Sequence, residues 1–522
     1  MVMSDTIQKV FLSTNYKRGI QYISIGTAIM LALSYACYDI FWLPPRRIRH
    51  IPHWKYTNFF IKTFFRKASL QEKIKQSADI RDGLNLRPDR IGWTIHVSSP
   101  SGVKTILSKP DVFVKAFNKA DNKKTIYERF VGGNNLLLSE GEDYKRLKKV
   151  TNITVNPAFR RPVPIQLFGR MTQRTLQEID QMGGKQVDMT DLCNRLTLDI
   201  LGKAVFDFNF DATGDPHNEW THVYKSIMES MSNKLFYYLP FLDQGKWLWL
   251  FPKRYQAHQN LTKFLNMLSE MISNKRQTIA ANHEEGTRND LLSLMIDSEL
   301  NEEVDGLTDE EIMENLCIFF FAGHETTANA VAFIIYNLAK DQERQEQARQ
   351  EVLHHLGDAP EDILPTLEDA MKLTFINQIM KETMRMYGPV SGISPRITTE
   401  DTFIDGAFIP KDTFVSVSIF RLHHNEKVWK SHNEFIPERF SPEGEFDQFT
   451  NEGIQWAPFG SGRRQCIGMN FSLFEQKVVL AMLLRKYTWT LPEDSIHKEN
   501  VVTSGIITVC PKELRINFER RY

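Results

Sequence analysis

The sequence predicts a mainly α-helical protein with a small β portion, preceded by a single N-terminal transmembrane helix. Three observations predict it. Residues 19–38 contain no charged side chain, and about 20 apolar residues suffice to span a bilayer as a helix. Residues 196–206, 308–340 and 469–485 carry apolar side chains in helical runs. The β-prone segments are short: 90–97, 402–404, 414–418, and a C-terminal pair, 504–508 and 514–518, that reads as a hairpin.

Composition narrows the function classes. In 522 residues, 64 Lys and Arg balance 64 Asp and Glu, so no basic excess points to nucleic acid. A hydrophobic content of 42% with 35 Phe suits an ordered protein with apolar cavities. Cys37, Cys193, Cys317, Cys466 and Cys510 are scattered and odd in number, without a CxxC pair. That pattern fits a reducing compartment and leaves a cysteine free to act as a ligand.

The apolar run continues past Asp39 to Leu43 and stops at Pro44 and Pro45. It exceeds the ~7–15-residue apolar core of a signal peptide. Arg46, Arg47, Arg49 and Lys55 follow it, against Lys9, Lys17 and Arg18 before it, so its C-terminal side is expected in the cytosol. The chain divides into a lumenal segment 1–18, an anchor 19–43, a Pro/basic linker 44–56 and a main domain 57–522.

In the main domain, 101–108 reads as a short helix after the first strand. Residues 111–138 lack a sustained period and read as a long irregular connection. Residues 144–149 make a basic helical turn. Residues 236–252 are apolar, broken by proline and rich in Tyr and Trp. They read either as core or as an exposed lid that dips into a membrane, and Trp247 and Trp249 favour the lid.

Thr308 and Glu311 form a capping box at the start of the long helix. Phe319, Ala322, Thr326, Ala330 and Phe333 share one of its faces. Gly323 costs ~1 kcal/mol relative to Ala in mid-helix. Close approach of a ligand would offset that, as would a local opening where the Thr326 hydroxyl replaces a backbone bond. Glu325 and Thr326 are an acid–alcohol pair suited to relaying protons. A zinc reading of His324 and Glu325 fails, because Ala328 stands where a second His is needed.

Glu382 and Arg385 sit at i and i+3 on one helix face, and Arg439 follows in residues 437–440. Then comes a glycine-rich loop holding Cys466 just before a helix. A helix N-terminus and neighbouring cations are expected to lower the cysteine's pKa toward the thiolate. Gly460, Gly462 and Gly468 permit tight turns and close approach to a flat ligand. The loop lacks the GxGxxG spacing of a dinucleotide site.

The spacing of Phe459, Gly462, Arg464, Cys466 and Gly468 resembles the haem-binding loop of the cytochrome P450 family, in its membrane-anchored microsomal form. Residues 322–327 resemble the family's oxygen-activation motif. The order of Glu382, Arg385 and Arg439 resembles its structural lock. The resemblance covers residue 57 to the C-terminus and implies one mostly helical domain with a small β portion at one side. It implies haem b with Cys466 as the axial thiolate ligand, Phe459 shielding the sulfur, and Glu325 and Thr326 delivering protons. Arg464, Arg396 and His423 are implied propionate partners. Where the family carries Trp-x-x-x-Arg on the propionates, this chain has Tyr144 and Lys148; Lys148 offers a point charge in place of a fork. Phe319, Ala322, Val390, Ile393 and Ile506 are the implied substrate lining.

The implied reaction is a monooxygenation: one atom of O2 enters a lipophilic substrate, with electrons from NADPH through the flavins of NADPH–cytochrome P450 reductase. Cytochrome b5 is a second implied partner, and the endoplasmic reticulum membrane the implied location. Arg463, Lys145, Arg146, Lys149 and Lys427 would offer the reductase a basic face. Two other readings use the same ligand: a haem-thiolate isomerase or dehydratase, and a membrane haem carrier or sensor. The acid–alcohol pair favours the monooxygenase.

Overall fold

Residues 84–97 fold as a hairpin, not as the one strand expected at 90–97. β1 (Leu84–Asp89) pairs antiparallel with β2 (Gly92–Val97) across a turn at Arg90 and Ile91. The computed structural model describes residues 43–55, 83–116, 124–160, 163–281, 290–298, 306–449, 452–505 and 507–522, with positions 27, 30 and 61. The expected lumenal segment and anchor lie outside the described residues apart from positions 27, 30 and 43, as does Ile506.

Ser99 caps α1 (Pro100–Ser108). The stretch expected to be irregular holds β3 (Phe113–Lys115) and α2 (Ile126–Val131). A reciprocal capping box of Thr125 and Glu128 starts α2, a local cue that mixed polarity hid. There follow α3 (Gly141–Arg160), α4 (Ile165–Gln181), β4 (Val187–Asp188), α5 (Met189–Leu201), α6 (Glu219–Met231), α7 (Lys234–Tyr238), α8 (Pro252–Ala281) and α9 (Leu291–Asp297). The helix expected at 308–340 forms as two, α10 (Asp309–Gly323) and α11 (Glu325–Lys340). Beyond them lie α12 (Gln342–Leu356), α13 (Leu367–Lys372), α14 (Thr374–Tyr387), β5 (Arg396–Thr398), β6 (Thr402–Ile404), β7 (Ala407–Ile409), β8 (Phe414–Val417) and α15 (Ile419–His423). The last elements are α16 (Met469–Lys486), β9 (Tyr487–Thr490), β10 (Thr503–Ser504), β11 (Cys510–Pro511) and β12 (Arg515–Arg520).

The main sheet has the order β1-β2-β8-β5-β3, with β2 and β8 parallel. The expected C-terminal hairpin is replaced by two pairings. β10 pairs with β11, while β12 lies between β4 and β9. Burial decides this: Ile516 and Phe518 point into a core with Val187, Tyr487 and Trp489, and pairing with 504–508 would leave them outside it.

Three cores organise the domain. One joins α4, α5, α11, α12, α14 and α16 around Phe333, Ile379 and Leu483. A second joins α2, α6, α8, α9 and α10 around Phe130, Phe264 and Phe320. A third underlies the main sheet, with Leu86, Ile95, Val103 and Val415. The two halves of the central helix thus belong to different cores and meet at His324. By composition residues 309–340 could cross a membrane, but the most apolar part is 67% buried inside the domain, so it is a core helix.

Phe320 marks the strength of the second core. Its ring centroid lies 5.2 Å from those of Phe206 and Phe210, 5.4 Å from Phe264 and 6.2 Å from Trp220 and Tyr224. Phe320→Ala is predicted to cost about 3–5 kcal/mol. Thermal unfolding should show it, whereas Met371→Ala at an exposed site should stay within about 0.5 kcal/mol.

Candidate active site

The cysteine loop is held by its own backbone. The Cys466 N–H donates to the Phe459 carbonyl (2.8 Å) and the Gly460 N–H to that of Ala457 (3.0 Å). Gly460 and Gly462 adopt φ of +69 and +70, a region that favours glycine. A Cβ on Gly462 would meet the Leu107 carbonyl at 3.3 Å. A Cβ on Gly468 would meet only the Cys466 Sγ, at 4.0 Å, and so would fill the space in front of the sulfur. Phe459 packs against the first core. Cys466 is exposed to solvent-sized space, yet desolvation pushes its thiol up, against a smaller opposing effect of the Gly468 N–H. The sulfur is thus open to solvent while surrounded closely by protein atoms. This differs from the expected lowering: with no metal charge beside the sulfur, burial outweighs the Gly468 N–H.

The central helix breaks at His324, between α10 and α11. The Thr326 hydroxyl donates to the Ala322 carbonyl (2.8 Å), and His324 Nδ1 meets the Phe320 carbonyl (2.6 Å). Each side chain takes up a carbonyl that an unbroken helix would satisfy with a backbone N–H. Burial lowers the His324 pKa to about 4, so the ring is neutral and its Nδ1–H donates. The Thr326 opening matches the local opening expected from sequence; the His324 partner was not anticipated. Gly323 serves packing, since a Cβ there would lie 2.6 Å from a Leu201 methyl. Ala322 is exposed within this core helix, and Phe319 and Thr326 are half-buried, while Ala330 and Phe333 are fully in the core. The Thr327 hydroxyl donates to Ser472 Oγ (2.9 Å), fastening α11 to the start of α16 just past Cys466.

Glu325 turns its carboxyl toward the β10–β11 turn. Desolvation raises its pKa to about 7, opposed by a hydrogen bond from Thr508. Its Oε2 is buried without a partner. The group is thus poised to hold and release a proton near neutral pH.

Behind the cysteine loop, Glu382, Arg385 and Arg439 meet in the interior, all nearly inaccessible. Arg385 grips Glu382 through Nε and Nη2 (2.7 and 2.8 Å). Its remaining donors reach the carbonyls of His423 (2.7 Å), His432 (2.8 Å) and Glu434 (3.1 Å). All five guanidinium hydrogens are used. Arg439 Nε reaches Glu382 Oε1 at 3.4 Å, and its other nitrogens hold Glu445 and the Ser431 carbonyl. The backbone N–H of Ile436 also donates to Glu382 (2.9 Å).

A cluster of cations stands beside the loop. Arg464 donates to the Ser139 carbonyl (2.7 Å) and to Glu140, and Arg396 to the Phe113 carbonyl (2.8 Å). Arg464 Nη1 and Arg396 Nε are buried without partners. Lys115, which sequence reasoning missed, has its pKa lowered to about 7 by desolvation and then by Arg396 and Arg464, with Glu140 the opposing charge. Two guanidinium cations with orphaned N–H groups, a lysine that an added anion would hold charged, and one carboxylate fit a ligand bearing further carboxylates, as a haem does.

Two expectations, those for His423 and Arg146, are corrected by side-chain geometry, and Lys148 and Tyr144 lie on the cysteine loop. Lys148 Nζ donates to the Arg463 carbonyl (3.3 Å), as does the Tyr144 hydroxyl (3.0 Å); both hold the loop's outer backbone. His423 Nε2 accepts the Ala457 N–H (3.0 Å), so it is buried behind the loop and not offered to a propionate. Arg146 is paired with Glu311 and the Gly306 carbonyl, which removes it from the surface set of Arg463, Lys145, Lys149 and Lys427. Val390 and Ile393 are half-buried, and Ile393 packs against the third core.

Within 236–252, Trp249 is 74% exposed and Phe241 and Leu250 are exposed too, while Phe236 and Leu248 are buried. Beneath them Asp243 is buried on Arg254 (2.5 and 2.6 Å) and His258 (3.0 Å), and accepts the Ile126 N–H (2.9 Å). That node ties the exposed segment to α8 and α2. No local spacing announces it, because its partners are far apart in sequence.

The glycine-opened cysteine loop, the broken central helix and the buried cluster of Glu382, Arg385 and Arg439 occur together in one mainly helical domain. The family model for cytochrome P450 matches residues 93–518; the chain belongs to the cytochrome P450 family and is a monooxygenase of that family, which uses haem ligated by a cysteine thiolate. It is similar to cytochrome P450 3A12 of Canis lupus familiaris, 28% identical over 407 residues, covering 75% of this chain and 76% of the relative. Cytochrome P450 3A7 of Homo sapiens is 27% identical over 405 residues, with 75% and 76% covered. The crystal structure of the cytochrome P450DA heme domain superposes with a TM-score of 0.74 at 22% identity, covering 92% of this chain and 98% of that one, a likeness of fold.

Removing one member of the buried lock leaves its partners charged and unpaired, a cost of about 3–5 kcal/mol. Glu382→Ala or Arg385→Ala is therefore predicted to yield protein without haem. Pyridine haemochrome assay of purified variants checks this; full haem content in either would contradict the lock.

Proposed function

We propose that this enzyme hydroxylates a lipophilic substrate drawn from the endoplasmic reticulum membrane, with electrons from NADPH passed by a flavoprotein reductase. The observation that carries the reading is the helix break at His324, where the Thr326 hydroxyl bonds the Ala322 carbonyl next to the buried Glu325 carboxyl, on the helix that Thr327 fastens to α16 just past Cys466. Bound haem supplies the redox chemistry that splits O2 and inserts one atom into a C–H bond. Cys466 would hold its iron; Arg464, Arg396 and Lys115 its propionates. Gly462 and Gly468 leave room for it, and Phe459 screens the sulfur. The lock of Glu382, Arg385 and Arg439 keeps that loop in place.

Thr326 donates its own hydroxyl proton to Ala322, so its oxygen lone pairs remain available to orient a proton donor. Glu325 keeps its proton up to about pH 7 and supplies it. Phe319, Ala322, Val390, Ile393 and Ile506 line the substrate side. The apolar lid, with Phe241, Trp249 and Leu250, dips into the bilayer. Residues 19–43 are the single-pass anchor, 1–18 are lumenal, 44–56 form the linker and 57–522 the cytosolic catalytic domain. Arg463, Lys145, Lys149 and Lys427 face the reductase, with cytochrome b5 as a second electron donor.

The test reconstitutes the full chain with reductase and a panel of lipophiles. A true substrate should shift the haem spin state and be hydroxylated with NADPH and O2 consumed. Conversion without either would mean an isomerase or dehydratase. Glu325→Gln should keep its haem but lose ~10²-fold in product formed per NADPH. Wild-type coupling should fall as pH rises through about 7, where the carboxyl gives up its proton, and the variant should lack that step. Unchanged coupling in Glu325→Gln would remove the residue from proton delivery.

A further inference from the structure

The main sheet has a second buried face, and it is polar. In β1 and β2, Leu84, Leu86, Ile95 and Val97 fill the third core. Side chains alternate along a strand, so Asn85, Arg87, Thr94 and His96 share the opposite face. The register sets Asn85 against His96 and Arg87 against Thr94. A sheet face turned away from a core is ordinarily wet. Here Asn85, Thr94 and His96 are buried. Yet Asn85 Oδ1 and His96 Nε2 have no hydrogen-bond partner, and Asp89 Oδ2 stands 3.6 Å from that ring nitrogen.

Arg421 of α15 completes the cluster. It is 8% exposed, and its Nη1 is enclosed without a partner. Among the described residues its guanidinium forms no hydrogen bond and no ion pair. The guanidinium lies 5.7 Å from the centroid of the Trp54 ring, in the linker. Burial, then the charge of Arg87, lowers its pKa to about 9. Burial, then Arg87 and Arg421, holds the His96 ring well below the usual histidine range, so it is neutral. The half-buried Arg87 also has no carboxylate at ion-pair distance among the described residues. An enclosed guanidinium without an anion is strongly unfavourable unless a bound group supplies the charge.

Charge defines that group. Arg87 and Arg421 are two cations against the one acid Asp89, and the adjacent Arg90 is already matched by Glu128 (3.4 Å). One surplus positive charge remains. A carboxylate balances it, whereas a doubly charged phosphate monoester would exceed it. The guanidinium fork also matches a carboxylate in shape.

The surroundings define the rest of the ligand. Tyr237 and Tyr238 of α7, in the lid, stand near this face: burial, then the Asp89 charge, raises both phenols. Between the lid and the β1–β2 turn lies a small cavity lined by Arg90, Tyr127 and Tyr237. On the other side His96 is paired with Ser416 of β8. The Ser416 hydroxyl donates to the carbonyl of Ile393 (3.1 Å), a residue of the proposed substrate lining. The cluster thus joins the lid to that lining.

We propose that Arg87 and Arg421 bind the carboxylate of an amphipathic acid whose apolar part extends toward Ile393, so that the substrate is a lipophilic carboxylic acid. His96, in its Nε2–H tautomer, adds a neutral donor. The fate of the apolar part rests on the proposed hydroxylation; the binding of the anion does not.

The test titrates the full haem-loaded chain, freed of lipid in detergent, with hexadecanoic acid and with methyl hexadecanoate, following the haem spin state. The acid should bind about tenfold tighter than the ester. Arg421→Met and Arg87→Gln should each weaken the acid about tenfold, to the level of the ester. Without ligand, Arg421→Met should unfold at the wild-type temperature or above it, since an unpaired buried charge is removed; a merely structural arginine would give a lower one, which overturns the inference. The acid should raise the unfolding temperature of the wild type and not of the variants. Acid and ester bound alike by the wild type, or a preference for the acid that survives in both variants, overturns the inference and leaves the hydroxylation standing. Acid bound as expected but never hydroxylated with NADPH and O2, in a chain that hydroxylates no other lipophile, keeps the anion site and overturns the hydroxylation. A phospholipid that copurifies with the wild type, is missing from the variants and is not displaced by the acid would make this a headgroup site, which overturns the inference.

Discussion

A sulfur that must be anionic in a place that disfavours the anion is the constraint the rest of the structure serves. Burial pushes the Cys466 thiol up, so the protein alone does not stabilise the thiolate. In the proposed function the loop fixes the sulfur where a bound metal's charge would stabilise it. The Cys466 to Phe459 backbone bond, two left-handed glycines and the open side at Gly468 are local means to that end. The buried lock is the distant one. Arg385 spends its donors on three backbone carbonyls of 423–434, so the approach to the loop is held by charge-assisted bonds instead of by apolar packing, which would tolerate slippage.

The central helix answers the opposite need, a polar opening in an apolar wall. Its halves are anchored in two cores, so the break between them is held from both sides. Two side chains, His324 and Thr326, close the carbonyls the break exposes. The polarity thus stays confined to one turn, with Glu325 the adjacent titratable group. Lys115, Arg396 and Arg464 form the remaining polar wall, and the unpaired N–H groups of the two arginines favour anionic charge there.

Much of this was legible where the physics is local. The cysteine loop, the Glu382 and Arg385 pair, the Thr308 capping box and the Thr326 back-bond each involve residues within a few positions of one another. Long-range features were not. Lys115 joins the site only because β3 pairs with β5 at Arg396. Asp243 and Arg254 meet through the fold of the lid. β1 was missed because Arg87 and Pro88 interrupt its alternation. The pKa of Cys466 was misjudged in sign because burial, a property of the whole fold, outweighs the helix end. His423 and Arg146 carried nitrogen or charge at suggestive positions, but their partners are set by tertiary geometry.

The central claim is that Cys466 supplies an anionic sulfur to haem iron. It is tested most directly by the absorbance of the reduced carbon monoxide complex in the wild type and in Cys466→Ala and Cys466→His. The wild type should show a strongly red-shifted Soret band, the histidine variant a complex without that shift, and the alanine variant neither. A red-shifted band surviving in Cys466→Ala would contradict the account.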